Sequence, residues 1–208
     1  MQTEVLSASD PNALRYAGDV LRHGGLVAFP TDTVYGVGAL AFHREAVLRL
    51  YTVKGRPTDK AIAILVGRAA DLAAVSVEIN PATRRLMARF WPGPLTLVVP
   101  KHPELPEAIS ALPTVGVRMP DHDFARRLLE LAGPMAVTSA NRSGELSALT
   151  ATGALEQLSG RIELVLDGGR VPGGVPSTVV DCAGPQPVIL REGPVGAAAI
   201  EAALALSA

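Results

Sequence analysis

A chain of 208 residues with 48% hydrophobic and 19% charged side chains can bury about 70% of its unfolded surface, which excludes a disordered chain. Nineteen Lys and Arg against 20 Asp and Glu give a formal charge of −1, which excludes a globally basic nucleic-acid binder but not a local basic groove. The single cysteine, Cys182, excludes an internal disulfide and a cysteine-based zinc cluster. The longest mainly apolar run, residues 61–66, is far short of the roughly 20 needed to cross a bilayer. The amino terminus has neither a basic stretch nor an apolar stretch of the signal-peptide kind, so a soluble, cytoplasmic chain without membrane contact is expected.

Asp10-Pro11 reads as an N-cap followed by Pro at the first helical position. It opens a helix over 12–23 with Leu14, Ala17, Val20 and Leu21 on one face and Gly24-Gly25 as its stop. Residues 26–29 form a short apolar strand ended by Pro30. The pattern then predicts a helix over 44–51 and, over 61–66, a strand buried on both faces. A helix with Pro at its start covers 81–90, and strands cover 95–99 and 115–119. A helix over 124–131 precedes a strand over 135–138. Strands at 163–166, 177–181 and 188–190 follow, and an Ala-rich helix over 195–206 ends the series.

The alternation predicts α/β layering around one sheet, part of it antiparallel because the later strands lie close together. No repeat or composition shift marks a linker, so residues 1–208 are expected to form one domain. Seventeen Pro and 20 Gly cluster where strands end, at 30–38, 55–57, 92–94 and 168–176. Strand ends feed the loops that carry sites in α/β folds.

Several motifs are absent from the sequence. There is no Walker-type phosphate loop, no H-E-x-x-H and no G-x-S-x-G. The four histidines, His23, His43, His102 and His122, lack ligand-like spacing. Gly36-Val37-Gly38-Ala39-Leu40-Ala41 matches a dinucleotide fingerprint only loosely: residues 30–35 part it from the strand, and no helix opens at its second Gly.

Four segments carry chemistry-bearing groups. Pro30-Thr31-Asp32-Thr33-Val34-Tyr35-Gly36 sets two hydroxyls and a carboxylate at a strand end, suited to a small polar ligand or to a self-satisfied turn. In Lys54-Gly55-Arg56-Pro57, two cations at i and i+2 of an extended loop would share one side, as a phosphate site or as a solvated turn. Thr138-Ser139-Ala140-Asn141-Arg142-Ser143-Gly144 follows an apolar strand, and its groups suit a nucleotide or a capped turn. In Val115-Gly116-Val117-Arg118-Met119-Pro120, alternation puts Arg118 opposite the valines, where it needs either a structural partner, Asp121 or Asp123, or a ligand anion. Pro176-Ser177-Thr178 and Ile189-Leu190-Arg191-Glu192-Gly193 repeat the theme. Trp91-Pro92-Gly93-Pro94 reads as a rigid turn, and Cys182 as a buried thiol rather than a nucleophile.

In this order the segments closely resemble the YrdC/TsaC-type L-threonylcarbamoyladenylate synthases. The likeness runs from Gly24 to Gly193: Gly-Gly-Leu-Val-Ala-Phe-Pro-Thr-Asp-Thr-Val-Tyr-Gly, Lys-Gly-Arg-Pro, Trp91-Pro92-Gly93-Pro94-Leu95-Thr96-Leu97, Val-Gly-Val-Arg-Met-Pro, Thr-Ser-Ala-Asn-Arg-Ser-Gly, Pro-Ser-Thr-Val-Val-Asp and Leu-Arg-Glu-Gly. The family's K-x-R and S-x-N signatures fall on Lys54, Arg56, Ser139 and Asn141. One departure is Ala61-Ile62, where the family commonly has Pro-Leu.

The resemblance implies an α/β, YrdC-like single domain in the short form: a twisted mixed β-sheet flanked by helices, with a deep basic groove, its motif-bearing core at 12–193 and a C-terminal helix at 195–206. It implies synthesis of threonylcarbamoyl-AMP and pyrophosphate from L-threonine, bicarbonate (as CO2) and ATP, for threonylcarbamoyl modification of tRNA adenosine 37 by a separate transferase complex. Lys54 and Arg56 would act on the phosphates and the carbamate. Lys54, Arg56, Thr58, Ser139, Asn141 and Arg191 would bind the nucleotide, and Thr31, Arg118 and Ser177 the threonine. Mg2+ would arrive on the ATP phosphates, with no protein metal cage. An RNA contact at the basic groove is compatible with this. Two other readings stay open on the residues: the carbamoyladenylate-forming domain of hydrogenase-maturation proteins, and an RNA-binding module. The absent companion modules weigh against the first, and the charge balance and 4% aromatic content against the second.

Overall fold

The computed structural model describes residues 2–173 and 175–205, so Leu206, the predicted end of the last helix, lies outside the described residues, as does Gly174 of the glycine cluster. In chain order the elements are β1 (Glu4–Ser7), α1 (Ala13–Arg22), β2 (Val27–Phe29), β3 (Gly36–Leu40), α2 (Arg44–Lys54), β4 (Ala63–Leu65), α3 (Leu72–Val75) and α4 (Pro81–Phe90). Then come β5 (Leu95–Pro100), β6 (Thr114–Arg118), α5 (Asp123–Ala132), β7 (Met135–Ser139), α6 (Ala151–Leu158), β8 (Leu164–Asp167), β9 (Thr178–Asp181), β10 (Val188–Arg191) and α7 (Ala197–Ala205).

The strands form one mixed sheet in the order β1-β8-β2-β3-β7-β4-β6-β5-β9-β10. β8 runs parallel to β1 and β2, β4 to β6, and β5 to β9; the remaining pairs are antiparallel. Alternation sorts the side chains onto two faces. Ala28, Val37, Ile64, Leu97, Val117 and Ala136 join one core, covered by Val47 and Leu50 of α2, Leu86 of α4 and Ala154 and Leu158 of α6. Val27, Phe29, Leu65, Met135 and Val137 face the other way, against Ala17 and Leu21 of α1 and Leu128 and Leu129 of α5. Those two helices cover only part of that second face. Where they stop, the sheet is open.

Local signals account for most of the elements. The α4 boundaries match expectation, because Asn80 caps the Thr83 N–H at 2.9 Å and Pro81 occupies the first turn. At α1 the start differs. Asp10 Oδ1 accepts from Asn12 N at 2.7 Å in a separate turn, and the helix begins only at Ala13. The predicted strand over 61–66 is shorter, at Ala63–Leu65, and is not buried on both faces, since Ala63 is half-buried and opens onto a cleft. The expected loop around Gly36 and Gly38 is strand β3. A Cβ at Gly38 would lie 2.8 Å from Val137 Cγ2, so the close approach of β7 requires glycine there. Among the described residues no helix is long and apolar enough to cross a membrane.

Candidate active site

The uncovered part of the second face floors a cleft of about 500 Å3. Same-face positions of neighbouring strands line it: Gly36 of β3, Val137 and Ser139 of β7, Ala63 and Leu65 of β4, Gly116 and Arg118 of β6, Thr96 and Val98 of β5, and Val179 of β9. Small residues make the floor low. Polar groups from the strand ends form the walls: Thr31, Thr33, Arg56, Ser177 and Arg191.

Thr31 follows β2 and is buried. Its hydroxyl donates to the Val34 carbonyl at 2.7 Å and accepts from Thr33 N at 3.2 Å, so the predicted self-satisfied turn and a cleft-lining position coexist. Ser177 and Thr96 are buried beside each other, Oγ to Oγ1 at 2.8 Å. Arg191 lies over Ser177 and donates to its carbonyl through Nε at 3.1 Å and Nη2 at 2.8 Å. Partial burial, then the like charge of Arg118, depress the Arg191 guanidinium below its usual value. Arg56 donates to the Lys60 carbonyl at 3.2 Å and the Ala61 carbonyl at 2.8 Å, which fixes the loop where the sequence departs from Pro-Leu.

Arg118 sits on the cleft face, opposite the buried Val115 and Val117, as alternation requires. Its partner is neither Asp121 nor Asp123. Asp123 pairs with Arg126, and Arg118 Nη2 donates to Asp32 Oδ1. Nε donates to the Gly93 carbonyl at 3.0 Å, and Nη1 to Thr33 Oγ1 at 3.2 Å. Three of the five guanidinium N–H groups are thus engaged, and two are free among the described residues. Gly93 belongs to the Trp91-Pro92-Gly93-Pro94 turn, whose first peptide bond is cis and whose indole N–H donates to the Leu95 carbonyl at 2.8 Å. The turn therefore shapes the cleft as well as the chain.

Lys54 departs from expectation. It ends α2, which runs three residues beyond the predicted Tyr51, and Gly55 follows as a left-handed cap at φ 60°. The geometry is helical rather than extended, so Lys54 and Arg56 do not share a side. The Lys54 side chain is buried away from the cleft lining, and its Nζ donates to the Ser139 and Asn141 carbonyls and to Asn141 Oδ1 at 3.5 Å. All three ammonium N–H groups are engaged. Burial, and then the Arg56 charge, lower this ammonium from 10.5 to about 8. Asn141 likewise turns inward, its Nδ2 donating to the Arg142 carbonyl at 2.7 Å and the Glu145 carbonyl at 2.8 Å. Lys54 and Asn141 hold the loop that presents Ser139 at the rim. Thr58 is exposed and is not among the residues lining the cleft.

Sequence reasoning missed Thr96 and Gly116 as cleft residues. The signal was present in strand alternation, which sets both opposite apolar neighbours, but it does not say which face is open. Cys182 is buried, as expected, and burial pushes its thiol up to about 11. Among the described residues no group of three or more His, Cys, Asp and Glu side chains is placed to hold a metal ion.

Residues 19–193 match the model of the Sua5/YciO/YrdC family, described as telomere recombination. The chain belongs to this family. A relative named threonylcarbamoyl-AMP synthase from Pyrococcus abyssi is 46% identical over 182 residues, covering 86% of this chain and 54% of the relative. One of the same name from Bacillus subtilis is 41% identical over 205 residues, covering 97% and 59%. The chain thus spans little more than half the length of these two relatives. Among Sua5/YciO/YrdC structures, P. abyssi Sua5 complexed with L-threonine aligns with a TM-score of 0.88 at 44% identity, over 92% of this chain and 57% of that one. Escherichia coli YciO aligns at 0.81 and 26% identity, over 93% and 96%.

Proposed function

We propose that this chain condenses L-threonine, CO2 from bicarbonate and ATP into threonylcarbamoyl-AMP, releasing pyrophosphate. The observation that carries the reading is the cleft's charge pattern. Three guanidinium groups line it, and among the described residues only Arg118 has a carboxylate partner. Arg56 and Arg191 rest on carbonyl oxygens, which leave their charge uncompensated for anions. The relatives' names and the threonine-bound P. abyssi structure agree with this reading.

In the proposed reaction bicarbonate gives CO2 and hydroxide, the neutral threonine amine attacks CO2, the hydroxide takes the proton the amine loses and becomes water, and a carbamate forms. A carbamate oxygen then attacks the ATP α-phosphorus, and the bond to the pyrophosphate oxygen breaks. Neither step needs a protein nucleophile; both need positioning and neutralised charge. Arg118, through its two free N–H groups, and the Thr31 and Ser177 hydroxyls hold the amino-acid end. Arg56, Arg191 and Ser139 hold the nucleotide, with Lys54 and Asn141 fixing the Ser139 loop. ATP enters as its magnesium complex, the ion carried by the phosphates. The product passes to a separate cytoplasmic transferase for tRNA adenosine 37. Pyrophosphate release tests the reading: it is expected only with ATP, threonine and bicarbonate together, and equal release without threonine contradicts it.

A further inference from the structure

Asp32 is the one acidic side chain that touches a cleft guanidinium among the described residues, and it is not among the residues lining the cleft. It accepts from Arg118 Nη2. The side chains of the pair are 9% and 14% exposed, so water screens them little. Two neutral oxygens complete the seat, the Gly93 carbonyl and Thr33 Oγ1. That seat would fix the guanidinium plane with any acceptor in place of Asp32. What only a carboxylate adds is charge. It cancels part of the Arg118 field at the spot where the two free N–H groups await a ligand.

We propose that Asp32 sets the affinity of Arg118 for the substrate carboxylate, holding it below what the guanidinium alone would give. Arg118 lies two residues along β6 from Gly116, which faces Thr96 beside Ser177, so it belongs to the amino-acid end of the cleft. Ser139 of β7 stands two strands from β6 across β4, and the register of Arg118 with Leu65 and of Leu65 with Met135 sets it four residues further along, on the order of 16 Å in all at ordinary strand dimensions. The effect of Asp32 therefore falls first on the group that Arg118 itself binds, the amino-acid carboxylate, and only weakly on a nucleotide held by Arg56, Arg191 and Ser139. The inference rests on the reading that the cleft binds L-threonine. A restrained amino-acid affinity also suits a site that must release an anionic product.

Asp32→Asn tests this, because it keeps an acceptor oxygen for Nη2 and removes only the charge. Calorimetric titration of the full chain with L-threonine is expected to show about tenfold tighter binding in the variant. Titration with L-threoninamide, which has no carboxylate, is expected to show no tightening. ATP affinity is expected to stay within about twofold. Loss of its counter-charge makes the variant less stable in the free state, so the threonine-induced rise in melting temperature is measured as well, and it is expected to exceed that of the unsubstituted chain. Unchanged or weaker threonine binding, with an equal or smaller rise, overturns the proposal. So does equal tightening of threonine and threoninamide. If the unsubstituted chain binds no threonine, the proposed function itself fails; if it binds and Asp32→Asn changes nothing, only the role of Asp32 fails.

Discussion

Replacing Arg118 by Met removes a guanidinium but keeps most of its apolar stem. Three acceptors then lose their donor at once: Asp32 Oδ1, the Gly93 carbonyl and Thr33 Oγ1. Asp32 is left as an unpaired carboxylate with 14% of its side chain exposed. Breaking a buried ion pair from one side costs about 3–5 kcal/mol, because the surviving charge stays desolvated. At about 2–4 °C per kcal/mol for a chain of this size, the melting temperature should fall by about 6–20 °C. Asp32→Asn in the same chain neutralises the stranded charge and should recover a large part of that loss, a coupling that a double-mutant cycle isolates. Urea denaturation of the four proteins measures both terms. An Arg118→Met protein within 0.5 kcal/mol of the unsubstituted chain, a margin typical of surface substitutions, would refute the reasoning.

Arg56→Ala should cut the rate of pyrophosphate release by about 10²–10³ with an unchanged melting temperature, because the side chain braces only its own loop; steady-state rates and melts check both. Lys54 holds its proton less tightly folded, at about 8, than the ordinary 10.5, so the unfolded chain carries the extra proton between those values. Stability should therefore rise with pH across about 8 to 10.5, and Lys54→Met should flatten that rise in urea titrations at several pH values. Cys182, buried and pushed up to about 11, should resist thiol reagents at pH 8 until the chain unfolds; rapid labelling of the native chain would contradict its placement.

What could be read from the sequence was local. Asn80 and Pro81 mark the start of α4, and the alternation of Val115, Val117 and Arg118 marks the two faces of β6. Strand β3 was hidden by Gly36 and Gly38, which lower strand propensity but are demanded by the packing of Val137. Helix α6 was hidden by its Ala-, Gly- and Thr-rich start, which carries little apolar periodicity. Thr31, Arg56, Arg118, Ser139, Ser177 and Arg191 line one cleft, whereas Lys54, Thr58 and Asn141 do not, because side-chain directions depend on contacts distant in sequence. Asp32 lies 86 residues from Arg118, so proximity in sequence pointed instead to Asp121 and Asp123. Spacing alone puts Lys54 beside Arg56, yet α2 runs on to Lys54 and its ammonium meets carbonyls 85 and 87 residues away. Tertiary acceptors, not local pattern, decide where a long cation points.

Isotopically labelled bicarbonate tests the central claim most directly. The chain is incubated with L-threonine, magnesium ATP and the label, and the nucleotide products are resolved by mass spectrometry. The cleft chemistry predicts labelled threonylcarbamoyl-AMP in step with pyrophosphate, and neither product when any one of the three substrates is omitted. Pyrophosphate release without bicarbonate, or an unlabelled threonyl adenylate as the product, would contradict it.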